Sequence, residues 1–218
     1  MCSIKKTTKF IFLCTTIFII TAMSTIIAYA VAYVYDSDGL QSLPVNVYFS
    51  SSIESDAAAK ARCLAAMATW NDTCFAYDVL VYKGSTTERG AVADGFNTVY
   101  SAIGDYQYLG LTVLTKEDKG ILWWKKTYVV EFDMNLNKNV FWYKDSSETG
   151  LQEMASQGYL NYYDMQSVAL HEFGHVLGLG HPTSDTVNGV RNAMADTPPM
   201  TIVRNISEEE RVAIVNLY

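Results

Sequence analysis

The chain has 218 residues, half of them apolar and 13% aromatic, which is enough to build one well-packed domain and too few for a second full domain. Its formal net charge is −7. All 23 acidic residues follow position 30, whereas three of the 16 basic residues precede it, so the remainder carries 13 minus 23, or −10. Such an acidic surface excludes nucleic acid as a partner, and we expect a monomeric protein.

The N-terminal segment differs in character from the rest. Three lysines precede an uncharged apolar run from position 10 to about 35, with an A-x-A pattern at 28–30. This layout predicts a cleaved secretory signal at residues 1–30, followed by a single folded domain at 31–218. An uncleaved membrane anchor is the alternative, since about 26 uncharged residues exceed the roughly 20 that span a bilayer. In either case we expect the domain outside the cytoplasm, with the membrane as a partner only if the segment is retained.

The cysteines predict one disulfide bond. Cys2 and Cys14 belong to the export segment, which leaves Cys63 and Cys74 as the pair in the mature chain. Outside the cell such a pair is expected to be oxidised. The bond would join the end of one helix to the segment that follows and stabilise the fold by about 3 kcal/mol. A metal-ligand role for this pair is less favoured, because no further cysteine and no spare histidine completes a site.

Strands and a few long helices alternate along the chain. Period-two alternation between turn residues predicts strands, and capping residues before 3.6-periodic apolar residues predict helices. In chain order, we predict a strand at 45–49, a helix capped by Ser55 or Asp56 and ending near Asn71, strands at 77–82 and about 98–103, a strand at 128–134, a helix from Asp164 through His175, and a last helix capped by Ser207. This order predicts an α/β (α+β) layer structure and not a barrel or a bundle.

The pattern also predicts where one loop lies and which face of one strand is buried. Residues 83–95 are polar and contain glycine, which predicts a loop between the second and third strands. The segment 128–134 has the clearest alternation in the chain. Its apolar side chains at Tyr128, Val130, Phe132 and Met134 predict one face in the core and the other in polar surroundings.

One segment contains the residues for chemistry, His171-Glu172-Phe173-Gly174-His175, followed by Gly178 and His181. Residues four apart lie on the same helix face, so His171 and His175 can present two imidazole nitrogens to one ion. Gly178 can take the positive φ that ends a helix, which would bring His181 back as a third ligand. The chain has only three histidines, and all of them fall in this pattern.

Three protein ligands leave one coordination position open, as in a catalytic zinc site. Zinc lowers the pKa of a bound water to about 7, and Glu172 is placed to act as the general base. Glu172 would then return the proton to the leaving amine. The sequence therefore predicts a zinc-dependent endopeptidase with one Zn²⁺ as cofactor and a protein or peptide as substrate.

This motif resembles the zinc site of the metzincins, which is completed downstream by a methionine turn. Met194, in the segment Asn192-Ala193-Met194-Ala195-Asp196, lies 13 residues beyond His181 and is similar to that turn. Within the metzincins the chain looks most like the matrixins, and the resemblance spans most of residues 44–218. It implies a twisted, mainly parallel five-stranded sheet whose antiparallel edge strand would pair with an extended substrate.

Four segments contribute to this resemblance. Residues 163–170 lead into the zinc motif, and residues 206–218 resemble the last helix of the family. The helix end at Trp70-Asn71 and the strand that contains Asp133 also fit. Three features depart from the pattern. There is no Pro-Arg-Cys-Gly-type switch, no histidine remains for a second zinc, and Asp196 replaces the tyrosine ligand of the astacin and serralysin branches.

Other features of the site are less determined. Asp94, Asp105 and Asp118 could form an oxygen site for calcium, but scattered acids are usually a solvated surface, and both interpretations stay open. By resemblance, residues 197–201 form the wall of the specificity pocket, which implies an apolar side chain just after the scissile bond.

Two other functions are considered. One is a different zinc hydrolase, either for short peptides or with a downstream glutamate as third ligand, against which Gly178 and His181 argue. The other is an extracellular adhesion or binding module that keeps zinc for stability. Glu172 argues against such a module, because a purely structural site has no need of a carboxylate beside an open position.

Overall fold

The structure is a computed structural model that describes residues 33–87, 90–105, 107–187 and 189–218. The predicted signal segment, 1–30, lies outside the described residues. Within the described ranges, no helix has both the length and the apolar character needed to cross a membrane.

The secondary structure mixes eleven strands and five α-helices within the described residues. In chain order they are β1 Tyr33–Tyr35, β2 Val45–Ser50, α1 Ser51–Glu54, α2 Ala57–Cys74, β3 Leu80–Thr86, β4 Asn97–Tyr100, β5 Gly110–Lys119, β6 Lys126–Leu136, β7 Phe141–Tyr143, α3 Gly150–Ser156, β8 Tyr162–Asp164, α4 Met165–Val176, β9 Leu179–Pro182, β10 Thr186–Val187, β11 Val190–Arg191 and α5 Glu208–Leu217. A short 3₁₀ helix, Leu122–Trp124, connects β5 to β6.

The main sheet has five strands in the order β3-β2-β4-β6-β5. The first three pairings are parallel, and β5 joins β6 in the antiparallel sense at the edge. This confirms the predicted mainly parallel sheet with an antiparallel edge strand. In β2, Val47 and Phe49 are fully buried, as their alternation predicts.

Helices α2 and α4 pack against each other over the core. Asp56 caps α2 by accepting a hydrogen bond from the Ala59 amide at 3.0 Å, which confirms one of the two predicted caps. The buried Trp70 indole donates to the carbonyl of Leu170 in α4 at 2.9 Å. This bond joins the two helices directly under the turn that carries the first histidine of the zinc motif.

The predicted disulfide bond is wrong. Helix α2 does not end near Asn71 but continues to Cys74, so Cys63 and Cys74 lie on the same helix and are both free. Eleven residues at about 1.5 Å each separate their Cα atoms by about 16 Å, far beyond the roughly 7 Å that a disulfide can bridge. Burial raises the pKa of each thiol to about 12, so both stay protonated near neutral pH.

In β6, Phe132 and Met134 are fully buried as predicted, but the alternation fails before them. Val129 is buried and Val130 is exposed, because a bulge leaves Val130 unpaired between the partners of Thr115 and Lys116 in β5. The polar face is also covered. The carboxylate of Glu131 accepts hydrogen bonds from the amides of Asp94 and Gly95 at 2.9 and 2.7 Å.

The loop before β4 is shorter than predicted, and its hydrogen bonds to Glu131 attach it to the sheet. Strand β3 extends to Thr86, and β4 ends at Tyr100 and not near 103.

Two of the acidic residues considered for calcium have partners within the protein. The Asp94 carboxylate accepts from the Phe96 amide, and Asp118 pairs with Lys125 at 2.6 Å. Among the described residues, no acidic cluster converges as a metal site, and calcium binding stays a prediction.

We expect Asp133 to make stability depend on pH. Burial raises its pKa from 3.8 to about 6, the Val92 amide bond opposes the rise, and the charges of Asp94 and Glu131 add to it. Between these two values the folded state binds more proton than the unfolded state, so its contribution to stability falls as pH rises from about 4 to 6. Such a rise corresponds to at most about 3 kcal/mol. Solvent over the exposed loop reduces this to about 1 kcal/mol.

Asp133→Asn should accordingly raise the free energy of unfolding at pH 7 to 8, with a gain that disappears near pH 4. Urea unfolding of the wild type and of Asp133→Asn at several pH values measures the difference in their free energies of unfolding. Titration of the histidines affects both proteins equally and cancels in this difference. Asp133→Ala is the control, because it also removes the acceptor of the Val92 amide at 3.0 Å. A difference that does not change with pH would contradict the prediction.

Candidate active site

Helix α4 aligns the first two histidines of the motif. Asp164 caps the helix by accepting from the Ser167 amide at 3.0 Å, as the sequence predicts. His171 and His175 follow one turn apart on the face that looks into the cleft. Gly178 has φ +100°, the left-handed conformation expected of it, and ends the helix. Strand β9 then carries His181 back and pairs with β1.

The three histidines converge on one point. The Nε2 atom of His171 lies 3.1 Å from that of His175 and 3.2 Å from that of His181. Three nitrogens at about 2.05 Å from one tetrahedral zinc ion would be separated by about 3.3 Å. The spacing of the side chains therefore fits the metal that the sequence predicts.

The other ring nitrogens fix the tautomers. His171 Nδ1 lies 2.9 Å from the carbonyl of Ala193, and His175 Nδ1 lies 2.8 Å from the carbonyl of Leu179. Because a carbonyl can only accept, both Nδ1 atoms carry the proton, and both Nε2 lone pairs face each other. A cation between them removes this repulsion, so the donor set fits a metal ion.

The protonation states of the histidines agree with ligation. Burial lowers the pKa of His171 to about 3, helped by the neighbouring His175. Burial also lowers the pKa of His175. Both rings are neutral at pH 7, which is the form that binds a metal. His175 Nδ1 also lies 3.3 Å from a carboxylate oxygen of Asp36, the residue that follows β1, and this contact helps to orient the ring.

Met194 forms the floor below the histidines. It is fully buried, and its amide donates to Glu210 of α5 at 2.7 Å. Glu210 also completes a capping box with Ser207, the predicted cap of α5. The methionine is thus held between the last helix and the helix that carries His171, in the position that the resemblance implies.

Gly174 is required by this packing, and Gly174→Ala should destabilise the protein. A Cβ atom there would overlap the Met194 sulfur and would lie 3.0 Å from the terminal methyl carbon of Met194 and 3.1 Å from the Trp70 ring. We expect a loss of about 2 kcal/mol, because a filled core cannot accept another carbon without strain. Chemical denaturation measures it. Met194→Ala alone and the double variant complete the cycle; costs that simply add would show that the two side chains do not compete for space.

Glu172 is a buried carboxylate with a single side-chain donor. Thr112 of β5 donates to its Oε2 atom at 2.6 Å. Burial raises the pKa of Glu172 to about 7, against the lowering effect of the Thr112 bond. Gly110, also in β5, allows this position, since a Cβ there would lie 2.5 Å from Oε1. A pKa near neutrality suits a group that accepts and returns a proton, and a nearby dication lowers it further.

A cleft of about 540 Å³ runs past the histidines and Glu172. The edge strand β5 lines one side of it, and Asp196 and Thr197 lie on the opposite wall. The Met200 amide donates to the carbonyl of Tyr162 at 2.8 Å, which attaches this wall to β8. Apolar side chains of Leu109, Leu114 and Val168 cover part of the cleft surface.

The sequence analysis did not identify three residues that shape the site, Asp36, Gly110 and Thr112. Strand β5 was implied only through the resemblance and was not located, because its apolar Leu111 and Val113 are exposed while Thr112 faces the helix. The alternation of apolar and polar residues in β5 could have indicated a strand, but it would have assigned the apolar face to the core, whereas that face is exposed. Nothing in the sequence pattern links Asp36 to His175, 139 positions away.

Comparison with known proteins gives one family match. Residues 116–218 match the family model described as Matrixin. No curated protein matches the chain in a sequence search. The matched segment contains the end of β5, all of β6, α4, the three histidines, Met194 and α5, whereas Gly110 and Thr112 precede it. By this match over a little under half of its length and by its mixed sheet, the chain is similar to the matrixins, a family of zinc metallopeptidases.

Proposed function

We propose that this protein is an exported zinc endopeptidase in which His171, His175 and His181 hold the metal and Glu172 is the general base. The observation that carries the proposal is the convergence of three Nε2 atoms beside a buried carboxylate in one open cleft. The matrixin match supports the peptidase class and zinc as the metal.

When bound, zinc would acidify a water molecule and polarise the carbonyl of the scissile bond. Thr112 holds the Glu172 side chain in place by donating to its Oε2 atom. Glu172 accepts the proton of the attacking water and delivers it to the leaving amine. Burial raises the pKa of this carboxylate and the bound cation would lower it, and a carboxylate between these two effects can both take and return a proton.

The substrate would be an extended peptide that adds a strand to β5. Within the described sheet, β5 pairs on one side only, with β6, and its other edge faces the cleft. Leu114 and Val168 beside the histidines favour an apolar side chain just after the scissile bond. A peptide library with a preference for charge at that position would contradict this specificity.

We further propose that residues 1–30 direct export and that 31–218 form the peptidase domain. Secretion is favoured by the A-x-A pattern, with a retained anchor as the alternative. The N-terminal part of the domain contributes to the site, because β1 pairs with the strand of His181 and Asp36 contacts His175. This supports a domain boundary before residue 33.

The proposal is tested by incubating the exported protein with an unstructured protein substrate and identifying the new termini by mass spectrometry. Internal cleavage that a zinc chelator abolishes and added zinc restores would support an endopeptidase. Cleavage of short peptides alone would favour the narrower hydrolase. A folded, zinc-loaded protein that cleaves no peptide between pH 5 and 9 would favour the binding module.

The ligand set has its own test. His181→Ala should lower zinc affinity at least about 100-fold, because a tetrahedral site loses one of its three protein ligands. Equilibrium dialysis against a zinc buffer measures this independently of activity. Unchanged affinity would show that the third ligand is another residue, as in the glutamate-ligand alternative.

A further inference from the structure

The tip of the β5–β6 hairpin exposes four consecutive apolar side chains. Ile121, Leu122, Trp123 and Trp124 are 76, 74, 80 and 74% exposed. These are the most exposed large apolar residues in the described part of the chain, with Ile103 at 75%. Soluble proteins seldom leave such a contiguous apolar surface in water, so the tip indicates a contact that this chain alone does not provide.

The turn is built to present these side chains outward. Leu122 has φ +52°, a left-handed conformation that costs a branched residue free energy. Gly120 also has a positive φ, and a Cβ there would collide with the Trp124 carbonyl. The Trp124 amide in turn bonds to the Ile121 carbonyl at 3.1 Å. The turn therefore has a defined backbone with an unfavourable φ and buries none of the side chains of Leu122–Trp124.

Basic residues form a collar behind the tip. Residues 116–126 contain four lysines, at 116, 119, 125 and 126, against Glu117 and Asp118, which gives 4 minus 2, or +2, in a chain of net charge −7. Lys125 pairs with Asp118 at 2.6 Å. The hairpin end thus combines an apolar point with a local positive charge on an acidic protein.

We infer that this tip docks the protein onto an anionic lipid bilayer. Tryptophan is preferred at the boundary between headgroups and hydrocarbon, and neighbouring lysines attract anionic headgroups. A protein partner is a poorer fit, because a stable interface buries about 800 Å² per side and a four-residue convex point cannot supply that by itself. A bilayer needs no matching concave surface.

The position of the hairpin relates this contact to the cleft. Strand β5 runs from Gly110, beside Glu172, to Lys119 at the base of the tip. Nine residue steps of about 3.4 Å place the cleft at most about 30 Å from the lipid surface. The peptidase would act on chains held close to a membrane. This contact would not depend on the N-terminal segment, the sole basis on which the sequence predicted a membrane partner.

Tryptophan fluorescence provides a direct test. The chain has four tryptophans, none of them in residues 1–32, so a retained N-terminal anchor adds no signal. Trp70 is fully buried, so the exposed pair at the tip should dominate any response to lipid. With vesicles of phosphatidylcholine and phosphatidylserine, we expect a blue shift, and brominated acyl chains should quench at least about half of the tip emission.

Two variants and a control complete the experiment, with binding measured by vesicle sedimentation. Trp123→Ser with Trp124→Ser should remove the quenching and weaken binding at least about tenfold, and Lys125→Glu with Lys126→Glu should weaken it about threefold or more at low salt. Tyr77→Ser, which removes an aromatic 60% exposed elsewhere, should leave binding unchanged.

Three outcomes would overturn the inference. Absence of quenching at every lipid composition would exclude insertion. Self-association that the tryptophan substitutions abolish would assign the tip to a second copy of the chain. A raised KM for protein substrates in the tryptophan variant, without vesicle binding by the wild type, would assign the tip to substrate recognition.

Discussion

Glu172→Gln should lower kcat about 10³-fold or more while zinc content stays at the wild-type level. The amide keeps the size of the side chain and can still accept from Thr112, but it cannot take a proton from the attacking water at neutral pH. It is also no metal ligand, so the three imidazoles keep their arrangement. Steady-state cleavage of a fluorogenic peptide, with zinc measured on the same samples, gives both quantities.

The control is Glu153→Gln, an exposed carboxylate of α3, which should leave kcat unchanged. A change in KM alone for Glu172→Gln would mean that the carboxylate contributes to substrate binding and not to chemistry. Loss of zinc together with activity would instead mean that Glu172 belongs to the ligand set, and the assignment of roles would have to change.

Arg204→Met is expected to cost about 3 to 5 kcal/mol of stability, which is a large part of what holds a small domain folded. The Arg204 guanidinium donates to both carboxylate oxygens of Asp164, at 3.0 and 2.6 Å, and these side chains are 5 and 0% exposed. Without the guanidinium, the carboxylate remains buried and uncompensated. Urea unfolding at pH 7 measures the loss.

The ion pair also positions the site. Asp164 accepts from the Ser167 hydroxyl at 2.6 Å, and that hydroxyl oxygen accepts from the Val203 amide at 2.7 Å. The start of α4 and the end of the pocket wall are therefore fixed to each other. Lower zinc affinity should accompany the loss of stability in Arg204→Met.

Arg211→Met is the matched control, since it breaks an exposed pair with Glu208 that should contribute less than about 1 kcal/mol. Equal costs for the two arginine variants would mean that the buried pair contributes no more than a surface pair. In that case the attachment of the pocket wall would have to depend on backbone contacts such as the one between Met200 and Tyr162.

Much of the site was predictable because its determinants are local. His171 and His175 share a helix face through a spacing of four, Asp164 and Gly178 set the ends of that helix, and both features operate within a few residues. The caps of α2 and α5 and the buried alternation of β2 were predictable for the same reason.

Predictions failed where a local pattern had more than one solution. The sequence between Asn71 and Cys74 can continue a helix or leave it, and the choice was made by packing, as the Asn71 side chain bonds to the Val79 amide at 3.0 Å and to the Leu80 carbonyl at 2.9 Å. That extra turn placed Cys63 and Cys74 on one helix and removed the disulfide. In β6, a bulge opposite Thr115 changed which valine is buried.

The sequence by itself determined the groups of the candidate site: three imidazoles, a carboxylate and a helix that ends at a glycine, all within eleven residues. Only the tertiary structure decided what surrounds them. It brought Gly110 and Thr112 of the edge strand to Glu172, Asp36 to His175 and Arg204 to Asp164. The reason is physical: ligand spacing follows from the helical repeat, whereas contacts between distant segments follow from how a sheet and its helices fill one core.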